Sequence, residues 1–252
     1  MCGDGDMTFK VLILGGTSAG RQLAERLTST PDYAPLLSFA GRTTSLQLPE
    51  IPHRVGGFGG VAGLAEFLAR ERFSALIDAT HAFAAQMSIH AAAAAAATGV
   101  PLLRLEVEPW IQQNADHWLN VNSIAEAARA LGETPRRVLL TIGRQEVAAF
   151  RDAPHHDYLI RAIDAFDPGL SRARVLCARG PFERGAEIAL LRHEQIEVIV
   201  SKNAGTGATY AKIEAARELG LPVIMVARPP LPAAATVHEV AEALRWLDGL
   251  KG

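Results

Sequence analysis

The residues with the clearest chemical use are the glycines of Gly15-Gly16-Thr17-Ser18-Ala19-Gly20. They stand between an apolar run, Phe9-Lys10-Val11-Leu12-Ile13-Leu14, and a helical pattern, Arg21-Gln22-Leu23-Ala24-Glu25-Arg26-Leu27. Glycine has no Cβ, so such a turn bends sharply and lets backbone N–H groups approach a phosphate. Ser18 fits an N-cap, and the helix N-terminus adds a favourable potential for an anion. A nucleotide-binding βαβ unit begins in this way. The dinucleotide pattern G-x-G-x-x-G would place glycines at 15, 17 and 20, and Thr17 takes the middle place. No Lys-Ser or Lys-Thr pair follows Gly20, which excludes a P-loop. A strand-to-helix turn without a ligand would carry the same glycines, so the next strand decides.

That strand reads as Leu36-Leu37-Ser38-Phe39-Ala40 and ends in Gly41-Arg42-Thr43-Thr44. In a dinucleotide fold this strand end lies beside the adenosine ribose. An acidic residue there binds the free 2′-hydroxyl of NAD, whereas an Arg accommodates the 2′-phosphate of NADP. Here no Asp or Glu is present, and Arg42 is flanked by Ser38, Thr43 and Thr44. A planar guanidinium with hydroxyl neighbours suits a phosphate. The expected cofactor-binding set is therefore Gly15, Gly16, Thr17, Ser18, Gly20, Ser38, Gly41, Arg42 and Thr43.

Ligands of doubly wound sheets sit at the C-terminal ends of strands. After the strand at 75–77 come Asp78-Ala79-Thr80-His81-Ala82-Phe83. Asp78 reads as a helix cap. Thr80 and His81 read as the candidate catalytic residues, near the nicotinamide end of a bound dinucleotide. The ordinary pKa of a histidine suits proton transfer near neutral pH.

The second half repeats the theme with cations. Thr141-Ile142-Gly143-Arg144-Gln145, Ala178-Arg179-Gly180-Pro181-Phe182 and Ser201-Lys202-Asn203-Ala204-Gly205-Thr206-Gly207 each follow a strand. Each sets a cation beside glycine or helix-N-terminal donors, an arrangement suited to a ligand with several carboxylates. Arg144, Gln145, Arg179, Lys202, Asn203 and Thr206 are the expected substrate contacts, and Arg161 adds a fourth candidate cation. No Cys/His pair has metal spacing, so no metal site is expected. No G-x-S-x-G elbow or paired-carboxylate signature occurs either.

The elements that must position these residues alternate along the chain. Strands are expected at 9–14, 36–39, 53–55, 75–77 and 102–105, with helices at 19–27, 61–71 and 83–97. A helix at 121–131 restarts the pattern. Strands follow at 137–141, 158–163, 174–178, 197–200 and 222–226, with helices at 145–150, 183–193, 206–219 and 237–250. Repeated β–α alternation predicts an α/β fold with parallel sheets flanked by helices. The expected domains are 7–115, binding the dinucleotide, and 116–252, binding the substrate, with a soft junction near 114–120.

Composition fits this picture. The 252 residues are 49% hydrophobic and 21% charged, enough for two real cores. A net charge of −2 argues against nucleic acid as a partner. No apolar stretch has membrane-spanning length, and no signal peptide is evident. The polar start Met1-Cys2-Gly3-Asp4-Gly5-Asp6 predicts a disordered extension. Two cysteines, Cys2 and Cys177, give no disulfide framework, which points to a reducing cytoplasm.

Taken together, these motifs and Val55-Gly56-Gly57-Phe58-Gly59-Gly60 resemble the precorrin-6A reductase family of corrin (vitamin B12) biosynthesis, from about Phe9 to Leu250. Where the family usually has Pro after the histidine, this chain has Ala82. The resemblance implies two Rossmann-like domains with an active site in the cleft between them. It implies NADPH as cofactor and reduction of one double bond of precorrin-6A, a polycarboxylate tetrapyrrole, to precorrin-6B. Transient contact with neighbouring pathway enzymes is a further expectation. The alternatives are a cobalt-precorrin-6A reductase and a non-catalytic NADP-binding regulator. A Tyr-x-x-x-Lys reductase or epimerase is disfavoured, because none of Tyr33, Tyr158 and Tyr210 has a Lys at that spacing.

Overall fold

The structure is a computed structural model that describes residues 8–41 and 50–251. Among these residues the strands form two six-stranded sheets, each entirely parallel. The chain divides into two units. One runs to Val107 and resumes at Pro230, and the other is Glu108–Pro229.

The first unit contains β1 (Phe9–Leu14), α1 (Ser18–Thr28), β2 (Tyr33–Phe39), β3 (His53–Val55), α2 (Gly60–Glu71), β4 (Ala75–Asp78), α3 (Ala85–Thr98) and β5 (Leu102–Leu105). Its β1 is apolar on both faces because both are covered. Val11 and Ile13 pack with Leu23, Leu27 and Leu247. Leu12 and Leu14 pack with Leu64, Leu68, Ala91 and Ala94 on the other side. Parallel strands buried on both faces need such unbroken apolar runs. The alanines of α3 promote helix and pack closely through Ala91, Ala94 and Ala95.

The second unit contains β6 (His117–Val121), α4 (Ile124–Ala130), β7 (Arg137–Thr141), a 3₁₀ segment (Arg144–Phe150), β8 (Asp157–Ala162), β9 (Ala173–Cys177), α5 (Arg184–His193), β10 (Val198–Lys202), a 3₁₀ turn (Gly207–Thr209), α6 (Ala211–Leu219) and β11 (Pro222–Val226). Leu139, Ile199 and Val223 of its central strands pack on Leu191 and Ile213. The chain then returns to the first unit as β12 (Ala235–Val237) and α7 (Val240–Gly249).

That return corrects the expected division at 115/116. β12 pairs with β5, and Ala243 and Leu247 of α7 join the first core. Contiguity along the chain suggested otherwise, but the partner of a three-residue strand lies far away in sequence. β6 also falls where a junction was expected, and the helix read at 121–131 begins only at Ile124. β6 is an edge strand with only Val121 buried, so it carries no apolar run to announce it.

Strand order is β3-β2-β1-β4-β5-β12 in the first unit and β9-β8-β7-β10-β11-β6 in the second. In each, the chain reverses its direction of travel at the pair of central strands. Ligands of open α/β sheets bind beyond the carboxyl ends of strands at such a switch point. The switch points are β1/β4 and β7/β10.

Candidate functional site

At the β1/β4 switch point the glycine turn lies against the loop after β4. A Cβ on Gly16 would stand 3.1 Å from the His81 backbone nitrogen and 3.4 Å from Thr80 Cα. A Cβ on Gly20 would stand 2.8 Å from Ala79 Cβ, and one on Gly15 would stand 2.9 Å from Leu37 Cδ1. The three glycines thus let the turn approach β2 and β4 closely. Gly15 N–H also donates to the Ser38 carbonyl at 2.8 Å.

The cap of α1 is Thr17, not Ser18. Thr17 Oγ1 accepts the Gly20 N–H at 3.2 Å and donates to the Ala79 carbonyl at 2.9 Å. One side chain therefore closes the helix and ties it to the β4 end. Ser18 is the exposed first residue of the helix, and no acidic residue occupies the first turn. An anion there meets N–H groups without a competing carboxylate.

Asp78 differs from its expected role as a helix cap. α3 begins at Ala85 without any side-chain cap. Asp78 Oδ1 instead accepts the Thr80 hydroxyl at 2.7 Å and the Thr80 N–H at 3.2 Å. Its other oxygen, Oδ2, lies 3.6 Å from Arg104 Nε, and neither atom has a hydrogen-bond partner. Both residues are buried, and they are register partners across β4 and β5. Arg104 also donates to the Pro232 carbonyl at 3.1 Å. Ser88 Oγ stands 3.4 Å from the Thr80 hydroxyl. His81 is exposed, and its Nδ1 accepts the Phe83 N–H at 3.2 Å. A neutral ring then carries its hydrogen on Nε2.

At the β2 end, Ser38 is buried and its hydroxyl accepts from Arg54 at 2.9 Å. Arg54 also donates to the Gly56 and Gly57 carbonyls and lies 4.0 Å over the Phe58 ring. Burial lowers its pKa from the usual guanidinium range. Gly41 (φ 72°) sits against Val55. Arg42 and Thr43 lie outside the described residues. The sequence reading passed over Arg54. A cation two residues before a glycine pair at a strand end was the available signal, the same kind that singled out Arg144 and Arg179.

In the second unit Arg144, Gln145, Lys202, Asn203 and Thr206 lie at or just beyond the ends of the neighbouring strands β7 and β10, whereas Arg179 follows β9 at the sheet edge. Lys202 ends β10, and its ammonium forms an ion pair with Glu146, one turn into the 3₁₀ segment after β7. Arg144 and Gln145 are exposed at the start of that 3₁₀ segment, Arg179 is exposed on the loop after β9, and Thr206 is half-buried ahead of the second 3₁₀ turn. Asn203 has another duty. Its amide accepts the Trp110 N–H at 2.7 Å and donates to the Trp110 carbonyl at 2.9 Å, clasping the segment that enters this unit. Gly205 (φ 79°) permits this, since a Cβ there would lie 2.0 Å from the Glu108 carbonyl oxygen.

Arg161, read as a candidate cation for substrate, is buried. It pairs with Glu187 at 2.9 Å and lies 4.3 Å over the Phe182 ring. Lys212, also buried, donates to the Thr209 carbonyl at 2.7 Å. Burial, helped by the Arg161 charge, pushes its pKa down to about 7. Among the described residues no group of His, Cys, Asp and Glu is placed to hold a metal ion. None of their helices is long and apolar enough to cross a membrane.

Residues 10–248 match the family model described as precorrin-6x reductase CbiJ/CobK. The precorrin-6A reductase of Sinorhizobium sp is 47% identical over 244 residues, covering 94% of each chain. That of Rhodococcus erythropolis is 45% identical over 243 residues, covering 96% of this chain and 98% of its own. The cobalt-precorrin-6A reductase of Priestia megaterium is 29% identical over 250 residues, covering 93% and 97%. A solved structure titled CobK precorrin-6A reductase superposes with a TM-score of 0.89 at 45% identity, covering 96% of each chain. With the family model spanning nearly its whole length and two Rossmann-like sheets of matching fold, the chain belongs to the precorrin-6x reductase family.

Proposed function

We propose that the chain uses NADPH to reduce one double bond of precorrin-6A, giving precorrin-6B. The observation that carries this is the packing of the glycine turn against Thr80 and His81 at the β1/β4 switch point. A glycine turn packed this closely on β2 and β4, at the N-terminus of an 11-residue helix with no acid in its first turn, suits a pyrophosphate. The cobalt-free substrate is favoured because identity is 47% and 45% to relatives named for it and 29% to one named for the cobalt form.

The backbone N–H groups of Gly16, Thr17 and Ser18 would hold the pyrophosphate, with Gly15 and Gly20 letting the turn pack closely, while Ser38, Gly41, Arg42 and Thr43 would read the 2′-phosphate. When bound, the dinucleotide supplies a hydride for the substrate's conjugated imine system. The chain supplies orientation. Because the Thr80 hydroxyl hydrogen is committed to Asp78, Thr80 offers lone pairs and serves as an acceptor. His81 can donate from Nε2, which orients the substrate or the reacting proton. Arg144, Gln145, Arg179, Lys202 and Thr206 of the second unit would hold substrate carboxylates. A non-catalytic regulator would have no use for such a set. The reaction is placed in a reducing cytoplasm, consistent with two cysteines and no disulfide pattern.

Anaerobic turnover of precorrin-6A with NADPH, followed by absorbance and mass, is the test. A product two mass units heavier, formed faster with NADPH than with NADH, is expected. Turnover of only the cobalt-loaded substrate, or of neither, would overturn the reading.

A further inference from the structure

The second unit buries three charged groups that the proposed reaction leaves unused. Arg161 of β8 and Glu187 of α5 pair at 2.9 Å. Lys212, the second residue of α6, is only 4% exposed and feels both of their charges. Two cations thus share one carboxylate. On α6 itself the first-turn acid is Glu214, which is half-buried. Tyr210, just ahead of α6, accepts from Arg217, whose charge is matched by Asp116 at 2.8 Å. The positive end of α6 adds to the surplus around Lys212. An ammonium buried with too little negative charge is costly. Burial, and then the Arg161 charge, lower the Lys212 pKa to about 7, with Glu187 opposing the shift.

The ammonium holds the turn that carries Thr206. Lys212 Nζ donates to the Thr209 carbonyl at 2.7 Å and lies 4.7 Å over the Trp110 ring, which Asn203 clasps. In the same turn the Ala208 carbonyl accepts the Phe182 N–H at 3.0 Å. Gly180 packs there too, since a Cβ on it would stand 2.9 Å from that carbonyl oxygen. The Phe182 ring in turn lies 4.3 Å from the Arg161 guanidinium. The buried charges therefore touch both strand-end loops, the one with Arg179 and the one with Thr206.

We propose that Lys212 is a positioning residue, whose ammonium form holds the 206–210 turn in the shape that receives a carboxylate of the substrate. The proposal rests on the reading that the second unit binds a polycarboxylate. Lys212 stays buried and acts through the turn. An arriving carboxylate supplies the negative charge that the buried cluster lacks, so the substrate and the Lys212 proton bind each other's states more tightly. A neutral amine gives up the charge-assisted bond to Thr209, and the turn loosens as the pH rises past about 7.

Steady-state kinetics of the full chain with precorrin-6A and NADPH, at pH 6 and pH 8.5, test this. Lys212→Met should raise substrate KM about 3- to 10-fold at pH 6, the worth of one charge-assisted hydrogen bond, with kcat changed less than about 2-fold. At pH 8.5 the parent has itself lost the proton, so the KM values of parent and variant should converge. If Lys212→Met does not fold, Lys212→Gln, which is also neutral, should show the same convergence. A ratio of KM values that is the same at both pH values, whether raised or not, would overturn the proposal and leave Lys212 a packing residue. If Lys202→Met and Arg179→Ala raise KM in that case, the second unit remains the substrate site. If neither of them raises KM, the polycarboxylate reading falls, and this proposal with it.

Discussion

Thr80 donates its hydroxyl hydrogen to Asp78 Oδ1 at 2.7 Å, and that same oxygen accepts the Thr80 N–H at 3.2 Å. Two bonds to one carboxylate oxygen fix both the loop and the direction of the hydroxyl. An ionised carboxylate only accepts, so the Thr80 oxygen has lone pairs left to offer, with Ser88 Oγ 3.4 Å away. Thr80→Ser should keep activity within a few-fold. Thr80→Val should lower kcat about 2- to 10-fold, the kinetic worth of one net hydrogen bond of ~0.5–1.5 kcal/mol. A general acid would cost roughly 10²–10⁴-fold. Rapid-quench hydride transfer across pH separates the two, and a loss in that larger range would make Thr80 a proton donor after all.

The carboxylate behind Thr80 is itself half of a buried pair with Arg104, at 3.6 Å. Removing one partner strands the other in the core. Asp78→Ala should destabilise the chain by about 3–5 kcal/mol in urea unfolding. Asp78→Ala combined with Arg104→Met should recover most of that loss, because no unpaired charge remains. Equal loss in the single and double variants would mean that packing, and not charge, holds this corner.

Gly20 faces Ala79 so closely that an added Cβ would lie 2.8 Å from the Ala79 Cβ. Gly20→Ala should cost about 1–3 kcal/mol of stability, the usual range for overpacking, and weaken dinucleotide binding by pushing the turn off β4. Ala79→Gly in the same chain should restore both, as read by thermal unfolding and NADPH titration. Failure of the second change to restore binding would show that the contact between turn and strand is not what shapes the cradle.

Arg42 carries the expected cofactor preference. Arg42→Ala should weaken NADPH binding by roughly 1.5–3 kcal/mol, the worth of a hydrogen bond to a charged group, and leave NADH nearly unchanged. Fluorescence titration with both cofactors measures it. Arg54 already donates to Ser38, Gly56 and Gly57, so Arg54→Met should disturb both cofactors alike. Equal weakening of NADPH and NADH by Arg42→Ala would remove Arg42 from the 2′-phosphate.

His156 should make stability depend on pH. Its ring is fully buried, Nδ1 accepts the Arg136 N–H at 3.2 Å, Nε2 has no partner, and the His155 ring lies 4.1 Å away. Burial first, and then the His155 charge, lower its pKa. The folded chain therefore binds a proton less readily than the unfolded one. The stability involved is fully present above the unfolded value of about 6.5 and is lost as the pH falls through the lower folded value. Unfolding free energy measured between pH 7.5 and 5 should fall in the parent and fall less in His156→Gln. An identical slope in both would place the titration elsewhere.

Much of this architecture was legible in the chain. β1, β7 and β11 stand where the apolar runs put them, because a strand covered on both faces must be largely apolar, and the short β3 and β5 keep their expected bounds as well. The glycine turn was legible too, since turn chemistry is local, although the cap of α1 falls on Thr17 and not Ser18. What the sequence could not decide was partnership. Asp78 reads as a cap until β4 and β5 place it in register with Arg104. Arg161 reads as a cation for substrate until α5 brings Glu187 against it. Glu146 carries no signal at all until β7 and β10 become neighbours at the switch point and Lys202 meets it. The C-terminal strand and helix look like part of the second unit until β12 pairs with β5. Local pattern reflects the backbone's own preferences and the burial of each face. Which charges meet depends on pairings between residues far apart in sequence, and those exist only once the sheets have formed.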